Sequence, residues 1–397
     1  MIMDISVGID STRFDVPPEV LMGGYSARTG PSEGQHDPLH AKTVVIKEGN
    51  DTIVVTVCDL VGLERHHVAT IKHDIAGRHG IPASNILIAA THTHAGPRNI
   101  AIFGDPFPGY EQFYETIASS ITKAIRSVKP ATIEFASGTV PDVSFNRRIY
   151  DPTSEHVDDE CNVLVIKEKG AKKKVIAVIY NYACHPVVMG AENRVISADW
   201  VQYANESIIL AFPGAIPVFL QGASGNLNPV NTPIVGPVPV HTFDDCKEIG
   251  SKIGDAVVMI AKSAADIDID GLRGIEREVI ITADDPDKGE MFTFADGKIE
   301  GDEFTVTSSI QALGFDDICI AGIPGELFSE ISINIKARSP FQHVLVTGYA
   351  NDYIGYIATA ENYNAGGYET SMMMLHEAEG EIIENNVVDV INDLKNE

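Results

Sequence analysis

Cysteine is scarce in this sequence, and its placement does not suggest cross-links. The 397 residues include five cysteines and no CxxC pair. Their odd number and wide scatter argue against a disulfide framework. Cys58, Cys161 and Cys319 lie in or beside apolar, strand-like runs, so we interpret them as core residues.

Basic residues and long apolar runs are also in short supply. Lysine and arginine total 29 against 56 aspartates and glutamates, which gives a formal net charge of −27. Such a surface would repel nucleic acid and anionic lipid headgroups. No run of apolar residues is long enough to span a bilayer, and the amino terminus lacks the basic region of a signal peptide. We therefore expect a cytoplasmic protein with no nucleic-acid partner and no integral membrane segment.

What the sequence does contain is an alternation of strand-like and helix-like segments. Three hairpins are predicted, at 41–47 with 52–59, 161–167 with 175–182, and 305–313 with 318–323. Further strands are predicted at 85–90, 216–221 and 344–348, and helices at 64–79, 110–128, 203–211, 244–265, 326–336 and 370–394. Hairpins imply mixed rather than all-parallel sheets, so we predict an α/β fold with mixed sheets flanked by helices. The proline-rich stretch 229–239 predicts a surface loop.

The clearest local motif is Thr-His-Thr-His-Ala-Gly-Pro at 91–97. In an extended segment, residues two apart point to the same side, so His92 and His94 can face one pocket beyond a buried strand. Ligands commonly bind at that edge of α/β sheets. Imidazole suits zinc, and a second imidazole beside it suits proton transfer. The motif alone leaves an alternative open: both histidines could be structural residues that hydrogen-bond to nearby backbone.

Two other apolar strands also run into side chains that can bind a metal. Asn-Tyr-Ala-Cys-His-Pro ends in His185-Pro186, and Pro-Gly-Glu places Glu326 after the strand 318–323. Taken singly, His185 could be a structural histidine and Glu326 could complement a helix dipole. Together with His92 they place three potential metal ligands at three strand ends. Sites with two histidines and one carboxylate are common in zinc hydrolases.

Two glycine-rich segments give weaker signals. Gly-Ala-Ser-Gly-Asn-Leu-Asn-Pro at 222–229 resembles a turn, but no GKS or GxGxxG motif supports phosphate binding. No GxSxG motif supports a serine nucleophile. The tyrosines within 351–368 favour packing at the edge of a core when judged on pattern alone.

In chain order, these segments resemble the neutral ceramidase family of zinc-dependent amidases. The likeness covers essentially the whole chain and runs through Gly8-Ile-Asp10, THTHAGP, Asn146-Arg147, NYACHP, Ser197-Ala-Asp-Trp200, GNLNP, PGE, NDYIGYIAT and Gly367-Tyr-Glu369. The resemblance implies one zinc ion per chain, held by His92, His185, Glu326 and Tyr356. It also implies a single ceramidase-like catalytic domain over 1–397, without the family's C-terminal β-sandwich.

The same resemblance assigns catalytic roles to three other residues. His94 matches the histidine that handles protons, while Arg147 and Tyr368 match groups that polarise the substrate carbonyl. The expected reaction is hydrolysis of an N-acyl amide by zinc-activated water, without a covalent acyl-enzyme.

Two departures from the family pattern bear on the substrate. Asn228 stands where family members have a serine that contacts the ceramide headgroup, and THTHAGPRN places Arg98 and Asn99 near the expected pocket mouth. We therefore predict Asn228 and Arg98 as substrate-binding residues. The expected substrate is a small-molecule or lipid-like amide that is smaller and more soluble than ceramide. An esterase or lactonase using the same zinc site, or a non-catalytic zinc- or ligand-binding protein, remain the alternatives.

Overall fold

The computed structural model describes residues 5–148, 156–171, 173–230, 241–269, 271–283, 296–300 and 303–397. Its strands are β1 Ile5–Arg13, β2 Gly34–Gln35, β3 His40–Glu48, β4 Asp51–Cys58, β5 Ile86–Ala90, β6 Lys129–Thr139, β7 Ser144–Asn146, β8 Glu160–Glu168, β9 Val175–Tyr182, β10 Val195–Ile196, β11 Ile216–Gln221, β12 Leu227–Pro229, β13 Ala265–Asp266, β14 Arg273–Ala283, β15 Asp296–Glu300, β16 Glu303–Phe315, β17 Ile318–Gly322, β18 Glu326–Leu327, β19 His343–Thr347 and β20 Tyr356–Ile357. Its helices are α1 Arg65–His79, α2 Glu111–Arg126, α3 Trp200–Ala211, α4 Phe243–Ser263, α5 Ser329–Arg338, α6 Ala360–Asn364, α7 Tyr368–Ser371 and α8 Glu379–Asn396, with a 3-10 turn at Ala83–Asn85.

The larger sheet has the strand order β11-β9-β8-β6-β1-β3-β4-β5, with β13 beside β6. Its pairs are antiparallel except β11 with β9 and β4 with β5, which are parallel. The predicted hairpin of β3 and β4 is confirmed. Both of its strands contain runs of β-branched residues, at 43–46 and 53–57, which favour a pleated and buried strand.

The smaller sheet has the order β14-β16-β17-β19, with β15 beside β16. Its pairs are antiparallel except β17 with β19. The other two predicted hairpins, β8 with β9 and β16 with β17, are also confirmed. The prediction of mixed sheets flanked by helices is therefore correct.

The two sheets pack against each other through a shared apolar core. Val55, Leu87 and Leu164 of the larger sheet contribute to it together with Leu313 and Ile320 of the smaller sheet. On the outer faces, α2, α3 and α4 pack on the larger sheet, and α5 and α8 pack on the smaller one. The layers therefore run helix, sheet, sheet, helix, and each sheet is buried on both faces. No helix within the described ranges combines the length and apolarity needed to cross a membrane.

Two predicted helices differ from the structure. Glu326 does not begin a helix: it pairs in β18 with β20, and α5 begins only at Ser329. Pairing with a strand about 30 residues away outweighs local helical preference here, because it satisfies backbone groups that a helix start would leave free. The predicted helix 370–394 is split into α7 and α8, because Leu375 forms an isolated bridge with Ala283 of β14.

The sequence patterns missed the long strands β1, β6 and β14, which are only partly buried over much of their length and lack the continuously buried runs of β3, β4 and β8. Most of the predicted loop at 229–239 lies outside the described residues.

Candidate active site

His92 follows β5 in a left-handed backbone conformation. Its φ is 65°, a value that few residues other than glycine adopt. The ring Nδ1 lies 2.6 Å from the carbonyl oxygen of Val61, which can only accept, so Nδ1 carries the proton. The lone pair of Nε2 is then left for the cavity, where Nε2 lies 3.5 Å from Oε2 of Glu326. The extended conformation predicted for this motif is therefore wrong at His92, although its ring does enter a shared pocket.

His185 is oriented in the same way. Its Nδ1 lies 2.6 Å from the carbonyl oxygen of Ser224, and its own carbonyl accepts a hydrogen bond from the indole of Trp200. Nε2 lies 3.2 Å from Oε2 of Glu326, and the side chain is fully buried. Burial lowers the pKa of His185 to about 4, although the contact with Glu326 opposes the shift. Its neutral ring therefore presents a lone pair to the carboxylate.

Glu326 and Tyr356 are direct neighbours in the parallel pair of β18 and β20. Residues in register on neighbouring strands extend to the same face of a sheet, so both side chains reach the cavity that His92 also lines. The hydroxyl of Tyr353 donates to Oε1 of Glu326, which leaves Oε2 facing the two histidines. Burial raises the pKa of Tyr356 well above its ordinary value, and the charge of Glu326 raises it further.

His94 completes the group of imidazoles. Its Nε2 lies 2.9 Å from Nε2 of His92, and ligand atoms of His92, His94 and His185 all lie within 4.8 Å of one another. Burial holds the pKa of His94 well below its ordinary value, and the two neighbouring histidines add to the shift. Gly24 passes so close that a Cβ there would lie 2.5 Å from the ring, so this approach requires glycine.

These contacts fit a bound cation. Nε2 of His185 and Oε2 of Glu326 are buried, and neither has a hydrogen-bond partner of good geometry among the described residues. Both are acceptors, as is Nε2 of His92, so their close approach is unfavourable unless a positive charge lies between them. Two imidazoles and a carboxylate are a common donor set for zinc.

Arg147 lies beside this cluster and is held by four hydrogen bonds. Its Nε donates to Oε1 of Glu369 (2.6 Å), and Nη1 donates to Oδ1 of Asn228 (3.2 Å). Nη2 donates to the carbonyl of Gly225 (2.8 Å) and the hydroxyl of Tyr356 (3.2 Å). The contact with Tyr356 links the predicted substrate-binding groups to the predicted metal ligands.

Tyr368 and Arg98 occupy different places relative to this network. Tyr368 lines the cavity, its ring centroid lies 6.3 Å from that of Tyr356, and 55% of the residue is exposed. No hydrogen bond between described residues joins Arg98 to another predicted site residue, and its backbone pairs with Leu21 and Phe107. The structure thus brings together all the predicted site residues except Arg98.

Three contributors were not singled out from the sequence. Glu369 bridges Arg147 and Arg148, with its Oε2 accepting from Nη1 of Arg148 at 2.7 Å. The hydroxyl of Tyr353 donates a hydrogen bond to Glu326. The ring of Tyr25 packs edge-on against that of His94, with the ring centroids 4.8 Å apart. Glu369 and Tyr353 lie inside motifs noted in the sequence, but nothing in the pattern indicated their partners.

A buried cluster of two histidines and one glutamate at strand ends is typical of metal-dependent hydrolases. The family model described as "Neutral/alkaline non-lysosomal ceramidase, N-terminal" matches residues 11–210, half of the chain. The chain therefore belongs to this family, and the resemblance inferred from the sequence is confirmed.

Relatives and solved structures agree with this assignment. Neutral ceramidase B of Dictyostelium discoideum is 29% identical over 209 residues, which cover 47% of this chain and 29% of that protein. Neutral ceramidase of Pseudomonas aeruginosa is 26% identical over 257 residues, covering 58% and 38%. The crystal structure of neutral ceramidase from Pseudomonas aeruginosa matches with a TM-score of 0.84 at 21% identity, covering 99% of this chain and 75% of that one. The fold is thus shared, while the aligned regions span about a third of these two relatives' lengths.

Proposed function

We propose that this protein is a zinc-dependent hydrolase that cleaves an N-acyl amide bond. The observation that carries the proposal is the buried meeting of Oε2 of Glu326 with Nε2 of His92 and Nε2 of His185, in which Oε2 of Glu326 and Nε2 of His185 have no hydrogen-bond partner among the described residues. A proton or a metal cation must compensate this arrangement. Membership in a family whose named relatives are neutral ceramidases favours the metal and the amide.

His92, His185, Glu326 and Tyr356 would hold the ion. Zinc in such a site supplies a water nucleophile near neutral pH and polarises a carbonyl group. Arg147 supports Tyr356 as a ligand, because its positive charge and its hydrogen bond lower the pKa of the phenol and oppose the effect of burial.

We assign the proton transfer to His94. Its Nε2 contacts Nε2 of His92 at the edge of the cluster, and its ring lines the cavity. In the proposed reaction His94 accepts the proton of the attacking water and returns it to the departing amine. The water oxygen first adds to the carbonyl carbon, and the C–N bond of this tetrahedral species then breaks to release the acid and the amine, so no acyl-enzyme is required.

Arg147 and Tyr368 would stabilise the developing oxyanion. A guanidinium has five N–H donors, and described residues accept from Arg147 through four of them. The remaining N–H on Nη1 can meet a substrate oxygen without breaking an existing bond. The exposed Tyr368 borders the same cavity and offers a second donor.

The cavity wall and the surface charge indicate the kind of amide. Ile102, Phe103 and Met372 give the cavity an apolar wall suited to an acyl chain. The net charge of −27 opposes approach to anionic lipid surfaces, and Asn228 replaces the hydroxyl of the family serine. We therefore propose an N-acyl amine smaller and more soluble than ceramide as the preferred substrate.

The test pairs metal content with turnover. We expect wild-type protein dialysed against metal-free buffer to retain about one zinc per chain, and His185→Ala to lose both this zinc and the hydrolysis of N-acyl amines. The exposed His73→Ala, on α1, serves as the matched control and should retain both. Wild-type protein without stoichiometric metal would contradict the proposal.

A second comparison tests the bond and the substrate. Short-chain N-acyl amines, their matched esters and ceramide are offered at equal concentration, and kcat/KM is measured for each. Faster turnover of the esters would favour the esterase, and much faster turnover of ceramide would overturn the preference for a soluble amide.

A further inference from the structure

A second group of metal-binding side chains lies outside the candidate active site, at the start of α1. Glu64, His66 and His67 each direct one ligand atom into a space where these atoms lie within 4.8 Å of one another. Nε2 of His67 is 3.5 Å from Oε2 of Glu64, and Nε2 of His66 is 4.0 Å from the same oxygen. One carboxylate oxygen therefore faces two imidazole nitrogens.

The arrangement repeats the donor set of the candidate active site. There, Oε2 of Glu326 lies 3.5 Å from Nε2 of His92 and 3.2 Å from Nε2 of His185. In the Glu64 group one separation is the same, 3.5 Å, and the other is 4.0 Å instead of 3.2 Å. Small rotations of the partly exposed imidazoles would bring their nitrogens to the spacing that a tetrahedral ion requires.

Glu64 precedes α1 but does not act as a helix cap through its side chain. Its side chain makes no capping hydrogen bond to α1. In the described part of the chain, its ion-pair partners are the two histidines, and the hydroxyl of Tyr110 donates to Oε2 at 3.0 Å. Only 4% of the side chain is exposed, so the carboxylate is held inward rather than solvated.

The local field also favours a cation. The carboxylate of Glu64 is buried, and Glu111 and Asp352 add negative charge near it. A buried carboxylate beside other acidic groups is destabilised as an anion until a positive charge compensates it. A divalent ion would supply that charge and use the two imidazoles as ligands.

We propose that Glu64, His66 and His67 form a second metal site, which binds a divalent transition ion such as zinc. His67 is stacked on Tyr114 with ring centroids 4.1 Å apart, which holds one ligand in place. The side chain of His66 is 58% exposed, so the ion can enter from solvent and keep water in the remaining positions. We expect this site to bind zinc more weakly than the buried one, because its ligands are less constrained.

Metal counting separates the two sites. The full chain is equilibrated at micromolar free zinc, and bound metal is measured by mass spectrometry for wild type, His66→Gln/His67→Gln, His185→Ala and the triple variant. We expect two zinc ions per wild-type chain. The variants that disrupt one site should bind one ion, and the triple variant should bind none. His73→Gln, an exposed histidine on the same helix, is the matched control and should bind as wild type does.

Other outcomes remain interpretable. If the candidate active site holds no zinc but the proposed site does, wild type binds one ion and His66→Gln/His67→Gln binds none. The second site is refuted if His66→Gln/His67→Gln binds as much zinc as wild type. It is also refuted if the control His73→Gln loses as much zinc as His66→Gln/His67→Gln does. Glu64→Gln, which keeps both imidazoles, should weaken zinc binding at least tenfold; unchanged binding would also refute the site. Circular dichroism confirms that each variant is folded.

Discussion

The candidate active site has two sides that are held in place by different means. On the metal side, His92, His185 and Glu326 are almost completely buried, with side-chain exposures of 1%, 0% and 4%. Backbone carbonyls of Val61 and Ser224 fix the two imidazoles. Because backbone carbonyls orient both imidazoles, the geometry of these two proposed ligands depends on the sheets and connecting segments, whereas the third, Glu326, is also held by the hydroxyl of Tyr353.

On the substrate side, side chains hold one another. Glu369 bridges Arg147 and Arg148, and Asn228 accepts from Arg147. Tyr368 stands at the rim with 55% of its surface exposed. Single substitutions can therefore reshape this side while the metal side stays intact.

The strongest test of this division is Glu326→Gln. The amide keeps the shape of the side chain but removes the charge that two imidazoles face. We expect loss of the tightly held zinc and a fall in kcat/KM of about a thousandfold or more, which corresponds to roughly 4 kcal/mol of barrier. Metal analysis and amide hydrolysis on the same sample check both. Glu64→Gln is the control and should leave the tightly held zinc in place; retention of zinc by Glu326→Gln would place the ligand set elsewhere.

Arg147→Lys should separate the two sides. A lysine cannot reproduce the planar fork that contacts Glu369, Asn228 and Tyr356 at once. We expect kcat to fall about a hundredfold to a thousandfold with zinc largely retained, because one oxyanion donor is lost. The measurement is steady-state kinetics alongside metal content. Equal loss of zinc and activity would show that Arg147 acts mainly by supporting the ligand Tyr356.

The division between the two sides also explains what the sequence could predict. The hairpins, the mixed sheets and the gathering of His92, His185 and Glu326 followed from apolar strands that end in polar residues. The local conformations at two of these residues did not. The left-handed φ of His92 and the pairing of Glu326 with Tyr356 depend on contacts with distant segments, which propensity does not contain.

Tyr356, Arg147 and Tyr368 were found only through the resemblance, because a tyrosine or arginine on its own is not diagnostic of a site. Glu369 was quoted in a motif but received no role. Its function lies in two ion pairs with residues more than 200 positions away, and no local period reveals such pairs. The sequence thus predicted the metal side better than the substrate side.

Glu369→Gln tests whether side-chain contacts position Arg147. Glu369 is a positioning residue, so the variant should keep its zinc and lose about tenfold to a hundredfold in kcat/KM. Glu369→Asp, which retains the charge, should recover part of the loss. If both variants are equally impaired, the carboxylate charge is not what positions Arg147.

The same variant has a pH signature. Burial alone would raise the pKa of Glu369, but Arg147 and Arg148 outweigh it and hold the pKa below its ordinary value. The carboxylate therefore stabilises the fold fully above about pH 4.5, and this contribution is lost as pH falls through the folded-state pKa. We expect the difference in unfolding free energy between wild type and Glu369→Gln to be largest near neutral pH and to shrink in acid. Urea unfolding at several pH values checks the sign, and a difference that grew in acid would contradict it.

The smallest expected effect is that of Asn228→Ser, which introduces the serine that the resemblance to the family implies at this position. Serine is shorter than asparagine, so the bond from Nη1 of Arg147 to Oδ1 is lost and a hydroxyl is presented to the substrate. We expect the ratio of kcat/KM for ceramide to that for a short N-acyl amine to rise by about tenfold or less, the scale of one hydrogen bond. Asn228→Ala is the control, since it removes the same contact without supplying a hydroxyl. An equal change in the ratio for both variants would mean that the lost bond to Arg147, and not the restored hydroxyl, determines the preference.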